Sequence, residues 1–413
     1  MILHSFFFLL AVARLAGAFV PATILRHNGH SPILRSTTTA IAVEAADLSF
    51  RQAAQLEEDG RFREATKYFI EAKQLYQIIV AGAAERDDIN SILPILAYTC
   101  VRLAHLSHDA LGDSHSAVEF YRQAAKIDSI PSSVVFDGIG SAIEASGGSL
   151  QDAVDAYREA YRLQQSSAKV MFHLAVALER LCKGDESKQL MGKLRQSEEN
   201  ISCLVDSWDY VRQHTHEETN RNIYLGTRSM LQLGISAALP MITKDNGLVC
   251  EFGVFNGRST RMIQEILPPG TEIHGFDTFT GIPLDWGDEP AGSYSTGGTI
   301  PDIESSVTFH KGLFADTIPP FLKSLNRNYD GNQPLAFANI DCDLYESTLD
   351  VLDHLSSRIV PGTVLVFDEY IGYETWQEDE FRAWRECCER FGWQYHYLGF
   401  SLGTKQVVIQ VIA

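Results

Sequence analysis

Two regimes of hydrophobic spacing divide the chain. From about Ala45 to Gln196, apolar residues recur every three or four positions, Ala- and Leu-rich and broken by short polar turns. That is the period of amphipathic helices. From Gly247 onward the spacing changes to short apolar runs: GLVCEF, TEIHGFD, SVTFHKG, LAFANID and GTVLVFDEY, with helical segments between them. WQYHYLGF and KQVVIQVI close the chain as two further strands, read as an antiparallel pair. Strands covered on both faces read as near-continuous apolar runs. Alternating strand and helix predicts a Rossmann-like, doubly wound and mainly parallel α/β sheet with an antiparallel last strand. Residues 201–240 carry apolar positions at helical spacing and read as connecting helices.

The helical part repeats itself. Gly60, Phe62, Ala65, Phe69 and Ala72 are echoed by Gly112, Ala117, Tyr121 and Ala124, and again by Gly148, Leu150, Ala153, Tyr157 and Ala160. Glycine ends one helix, small alanines let helices approach, and the aromatic fills the gap between them. The pattern resembles the tetratricopeptide repeat, with an insertion between the first two units and a cap near Gly184. Such arrays present a groove to a protein or peptide. The basic and amide side chains that clamp a C-terminal carboxylate in one version are absent, because Phe50, Ala54, Arg102, Leu106, Gly138 and Ala142 stand at those places. A recruited partner and self-association both remain open.

Composition narrows the rest. The net charge of −19 argues against a nucleic-acid or anionic-membrane surface. The seven cysteines show no CxxC and no zinc-like spacing, which points to reduced thiols. No Asp or Glu precedes Glu44, and FFFLLAVA with Ala16-Gly17-Ala18 has the form of a signal core and cleavage site. The segment after it is basic, hydroxyl-rich and acid-free. Together they resemble the bipartite plastid presequence of algae with secondary plastids, the alternative being secretion. No membrane span is expected in the mature form. The expected organisation is presequence 1–45, helical repeats 46–200, connecting helices 201–240 and an α/β domain 241–413.

The chemistry gathers at strand ends. Glu251, Asp277, Asp341, Asp343, Asp368 and Glu369 all fall near the carboxyl end of an expected strand, where open α/β sheets bind ligands. Glu251-x-Gly253-x-x-x-Gly257 is neither a dinucleotide fingerprint nor a Walker loop. Its glycines allow a close backbone approach to a ligand. Asp277, on the next strand, sits where an acid binds ribose hydroxyls. A short glycine turn with flanking acids suits a cationic nucleoside ligand such as S-adenosylmethionine.

EFGVFNGRST, GFDTFTGIP, KGLFADTIP, FANIDCDLYEST and PGTVLVFDEY stand in the order found in macrocin O-methyltransferase-like enzymes, which methylate macrolide sugars. The resemblance covers roughly residues 222–413. It implies a class I methyltransferase sheet, S-adenosylmethionine, usually magnesium, and a small-molecule hydroxyl acceptor of sugar or glycoside type. On it, Glu251, Gly253, Gly257, Ser259, Asp277 and Asp341 bind cofactor. Asp343 serves as metal ligand and catalytic base, with Asp368 and Glu369 as further ligands. Glu369 stands where the family more often has Asp. Asp341 is expected on the opposite strand face from Asp343. Asp343-Leu344-Tyr345-Glu346 also reads as a capping box for the following helix.

Residues 280–305, rich in Gly, Pro and Ser, read as an irregular lid whose Trp286 and Tyr294 either touch an acceptor or pack the loop down. His310 is a second base candidate, though a strand-end histidine is more often structural. Two other functions stay open: a degenerate methyltransferase fold used as a scaffold, and methylation of a protein acceptor recruited by the repeats.

Overall fold

The computed structural model describes residues 37–83, 86–127, 133–196, 201–215, 223–303, 306–328 and 333–413. The signal and transit features before residue 37 lie outside these. The chain divides into two compact units, Met1–Leu190 and Met191–Ala413.

The first unit is helical throughout its described residues. Its helices are Thr37–Glu58, Phe62–Gly82, Arg86–His105, Ser114–Ala125, Ser133–Ala145, Leu150–Leu163, Ala168–Arg180 and Gly184–Leu194, the last running just past the division. The first seven pack chiefly on their neighbours in sequence, the arrangement of a solenoid. The first helix begins at Thr37, so it runs into the segment expected as presequence up to residue 45. The repeat residues do what their types suggest. Ala65, Phe69, Ala72, Ala117, Tyr121, Ala124, Ala153, Tyr157 and Ala160 are all buried. Gly138 and Gly140 leave room for the Tyr121 and Tyr157 rings, since an added Cβ would lie 2.4 Å from each. The long first interval is absorbed by helices of 21 and 20 residues and by the π-helical turn Leu106–Ala110, not by an inserted loop. In the third unit the left-handed turn residue is Gly147 (φ 71°), one place before the expected Gly148.

The second unit holds a seven-stranded sheet of order β3-β2-β1-β4-β5-β7-β6. The strands are β1 Leu248–Phe252, β2 Ile273–Asp277, β3 Val307–Lys311, β4 Leu335–Ile340, β5 Val364–Phe367, β6 Tyr395–Phe400 and β7 Val407–Val411. The first five are parallel, and β7 runs antiparallel to both β5 and β6. This is the class I methyltransferase sheet. The chain reverses direction between β1 and β4, and the crevice above that switch is where ligands bind.

Two expectations change. Among the described residues no helix joins β2 to β3; the loop after Asp277 makes that crossing by itself. The expected connecting helices belong to this unit: helix Thr227–Lys244 covers β4, β5 and β7, and Gly234 lies against Val366 and Phe337. All seven cysteines are free thiols, four of them buried and Cys182 exposed.

Candidate active site

β1 delivers the glycine loop. Gly253 has φ 88°, and a Cβ there would lie 1.8 Å from the Asp341 carbonyl oxygen. Only glycine fits, because the loop after β1 and the turn after β4 touch backbone to backbone. Gly257, at φ 80°, precedes helix Arg258–Ile266 and is covered by Ile303 and Pro301.

The acids beside this loop differ in exposure. Glu251 is buried and accepts hydrogen bonds from Thr260, from the Ser259 hydroxyl and from Asn339 Nδ2 at 3.1 Å. Burial pushes its carboxyl up to about 7, against the pull of those hydrogen bonds. Glu251 and Ser259 therefore brace the loop from beneath. Asp277 accepts the Val254 and Phe255 amides on Oδ2, both at 2.7 Å, and the Phe279 amide on Oδ1 at 2.5 Å. It orders the same loop from the β2 side.

β4 and β5 are hydrogen-bonded neighbours, and their ends bring four acids together. β4 stops at Ile340, and Asp343 adopts a left-handed backbone (φ 60°). Strand alternation ends there, so the opposite-face expectation for Asp341 does not apply. Asp368 is the foremost charged neighbour of both Asp341 and Asp343. Burial, then repulsion from Asp368, raises Asp341 well above the carboxylate range and Asp343 to about 7. Burial also raises Asp368, opposed chiefly by a hydrogen bond from the Gln406 amide, and raises Glu369 to about 8, opposed by Lys405. Lys405 Nζ lies 3.1 Å from Glu369 Oε2. The capping-box role for Asp343 fails: helix Tyr345–Leu355 starts from Leu344 with no side-chain cap bond.

Glu380 was not foreseen. Wholly buried at the start of helix Glu380–Phe391, it accepts the Cys342 amide at 3.1 Å and the Glu369 amide at 3.2 Å. In sequence it is one more acid at a helix start, a common dipole partner. Nothing in its spacing ties it to β4 and β5. Gln406 and Lys405 were missed for the same reason, since they enter from the β6–β7 turn.

The loop after β2 is less irregular than its composition suggests. Trp286 and Glu289 form an isolated antiparallel bridge, and Ile282 pairs with Ser293 and Gly292. The Trp286 indole donates to Asp379 Oδ2 at 3.2 Å and meets the Tyr373 ring at 5.7 Å, so it packs the loop down. Tyr294 is exposed and edge-on to Phe255, and its hydroxyl feels Asp343, Glu369 and Asp341. His310 stacks on Phe276 at 4.4 Å, with its Nε2 3.4 Å from His274 Nδ1, inside the β2–β3 layer.

The four acids are hard oxygen donors, short of positive charge, which fits magnesium in chemistry. Among the described residues, however, no three Asp, Glu, His or Cys side chains form a group placed to hold a metal ion.

Residues 250–370 match the methyltransferase-domain family model. This span runs from β1 to just past β5 and carries every acid named above except Glu380 and Asp379. Over 68 residues the chain is 35% identical to 8-demethyl-8-(2,3-dimethoxy-alpha-L-rhamnosyl)-tetracenomycin-C 4'-O-methyltransferase of Streptomyces olivaceus, a match covering 16% of this chain and 23% of that enzyme's length. The calicheamicin methyltransferase CalS11 overlays with a TM-score of 0.35 at 20% identity, covering 52% of this chain and 93% of its own. The C-terminal TPR-containing domain of a putative FK506-binding protein of Plasmodium falciparum overlays at 0.32 and 16% identity, covering 37% and 97%. At these scores the fold rests on the strand order and register of the sheet itself.

Proposed function

We propose that the protein is an S-adenosylmethionine-dependent O-methyltransferase acting on a hydroxyl of a sugar or glycoside-like small molecule. The carrying observation is the convergence of Asp341, Asp343, Asp368 and Glu369 beside the glycine loop of β1.

S-adenosylmethionine would lie along the loop Gly253–Gly257, with its ribose toward Asp277. The tight loop and the acids suit its sulfonium and ammonium groups. Asp343 takes the proton from the acceptor hydroxyl. A carboxyl raised above the ordinary aspartate range by burial and by Asp368 is a stronger base than an ordinary aspartate. The oxygen would then attack the methyl carbon in line as its bond to sulfur breaks, the sulfur keeping the electron pair and leaving as S-adenosylhomocysteine, a step governed by positioning. Trp286 holds the loop down through its bond to Asp379.

Magnesium is the finer part of the reading. Asp343, Asp368 and Glu369 would hold it only after rearranging, since as they stand they form no group placed for a metal ion, and it would supply charge that lowers the hydroxyl pKa. Glu369 would first have to exchange Lys405 for the ion.

The test is transfer of a labelled methyl group from S-adenosylmethionine to a plastid metabolite extract, with wild type and Asp343→Asn. Labelled small product from wild type and none from the variant supports the reading. Absence of S-adenosylmethionine binding at millimolar ligand favours the scaffold alternative instead. Label in protein rather than small molecules points to an acceptor recruited by the repeats.

The helical unit is proposed to bind a partner or a second copy of the chain. The compartment, a plastid, rests on the acid-free composition of residues 1–43. A fluorescent fusion of that segment that is secreted instead removes the plastid assignment.

A further inference from the structure

We propose that Glu380 is a positioning residue: its carboxylate ties the two acid-bearing turns, after β4 and after β5, at a fixed separation. The inference rests on the reading that these turns form the reaction centre.

One planar group spans both turns. Oε1 accepts from the amide of Cys342, which lies between Asp341 and Asp343. Oε2 accepts from the amide of Glu369, which follows Asp368. Because its two oxygens are rigidly linked, the carboxylate sets the distance between those amides.

The placement is costly, which argues against an incidental role. Glu380 is wholly buried and lies within the repulsion of Asp343, Asp368 and Glu369. An apolar residue there would avoid that repulsion but leave the buried Cys342 amide and the part-buried Glu369 amide without an acceptor. The turn it holds also needs holding. Asp343 sits at φ 60°, a backbone state that non-glycine residues keep only when neighbours enforce it. The Cys342 tie falls on the residue just before it. On the other side, Asp341 N donates to Phe252 O at 2.8 Å. The turn after β4 is thus fastened to β1 on one flank and, through Glu380, to β5 on the other.

Glutamine separates this role from simple packing. Its volume is the same, but its amide oxygen accepts one N–H and its NH2 group faces the other. The experiment compares full-length wild type, Glu380→Gln and Glu380→Ala in three measurements: amide hydrogen exchange at Cys342 and Glu369, Mn2+ affinity by electron paramagnetic resonance, and S-adenosylhomocysteine affinity by calorimetry. In Glu380→Gln we expect one of the two amides to exchange faster. Mn2+ affinity should fall roughly tenfold or more, the loss typical when a group supporting metal ligands is changed. S-adenosylhomocysteine affinity should stay within about twofold, since the loop after β1 keeps its own contacts.

Wild-type exchange and wild-type Mn2+ affinity in Glu380→Gln would overturn the proposal. If wild type binds no Mn2+, the magnesium part of the proposed function fails, and exchange at the two amides alone decides the role of Glu380. If Glu380→Ala does not fold, the glutamine variant carries the test. If that variant does not fold either, Glu380 is a general fold-holding group and the positioning role is refuted.

Discussion

Asp343 combines a raised pKa with a left-handed backbone. Asparagine and aspartate tolerate that conformation better than other non-glycine residues. Asp343→Asn is therefore expected to keep the fold and S-adenosylmethionine affinity while methyl transfer drops roughly 10²- to 10⁴-fold, the range for losing a general base. A thermal melt and calorimetry beside the labelled-methyl assay check both halves. Gly253→Ala should behave in the opposite way. With the Asp341 carbonyl where its Cβ must go, the loop has to move, and binding of S-adenosylmethionine should be lost in calorimetry before any question of turnover. The acids themselves were legible in the sequence, because four of the apolar runs carry Asp or Glu at or near their carboxyl ends. Their neighbours were not. Glu380, Gln406 and Lys405 reach the cluster only through the folded positions of a helix start and a hairpin turn, which leave no periodic trace.

Strands were the most readable elements, since buried parallel strands have no polar face to blur the apolar run. β1 to β7 all fall within the runs that predicted them. Two local features resisted. The capping-box reading of Asp343-Leu344-Tyr345-Glu346 failed because the residue turned left-handed and left the helix to start at Leu344. The loop after β2 looked structureless because its order comes from backbone pairs around glycines and from one indole bond. Trp286→Phe keeps the ring but removes the bond to Asp379. It should raise the acceptor KM with little change in S-adenosylmethionine affinity, by steady-state kinetics once an acceptor is found. The β2–β3 layer carries a pH prediction. Burial holds His274 and His310 at about 4, below the usual histidine value, so the unfolded chain takes up protons first as the pH falls. The stability they contribute is complete above about pH 6.5 and is lost toward pH 4. Denaturant melts across that window should flatten in His274→Phe.

At the scale of the molecule, the chain divides into two compact units after Leu190. The sheet, its covering helix Thr227–Lys244 and helix Ser202–His214 all belong to the second. Residues 191–413 produced alone should therefore fold and bind S-adenosylmethionine with affinity close to that of the full chain. Circular dichroism and calorimetry decide this, and an insoluble or non-binding fragment counts against it. The change from helical spacing to strand runs near Gly247 lies well inside the second unit and did not mark the division. The allegiance of residues 201–240 was not readable either, because amphipathic spacing shows that a helix has a buried face but not what buries it. The contact of Gly253 with Asp341 has a consequence for descent. The cofactor loop and the acid turn cannot drift apart one residue at a time, since any side chain at 253 disturbs both. On the proposed function, a lineage giving up methyl transfer would have a gentler path through Asp343, which can become asparagine and leave a cofactor-binding protein behind. In a set of descendants, position 253 would record whether the site still exists, and position 343 whether it still works.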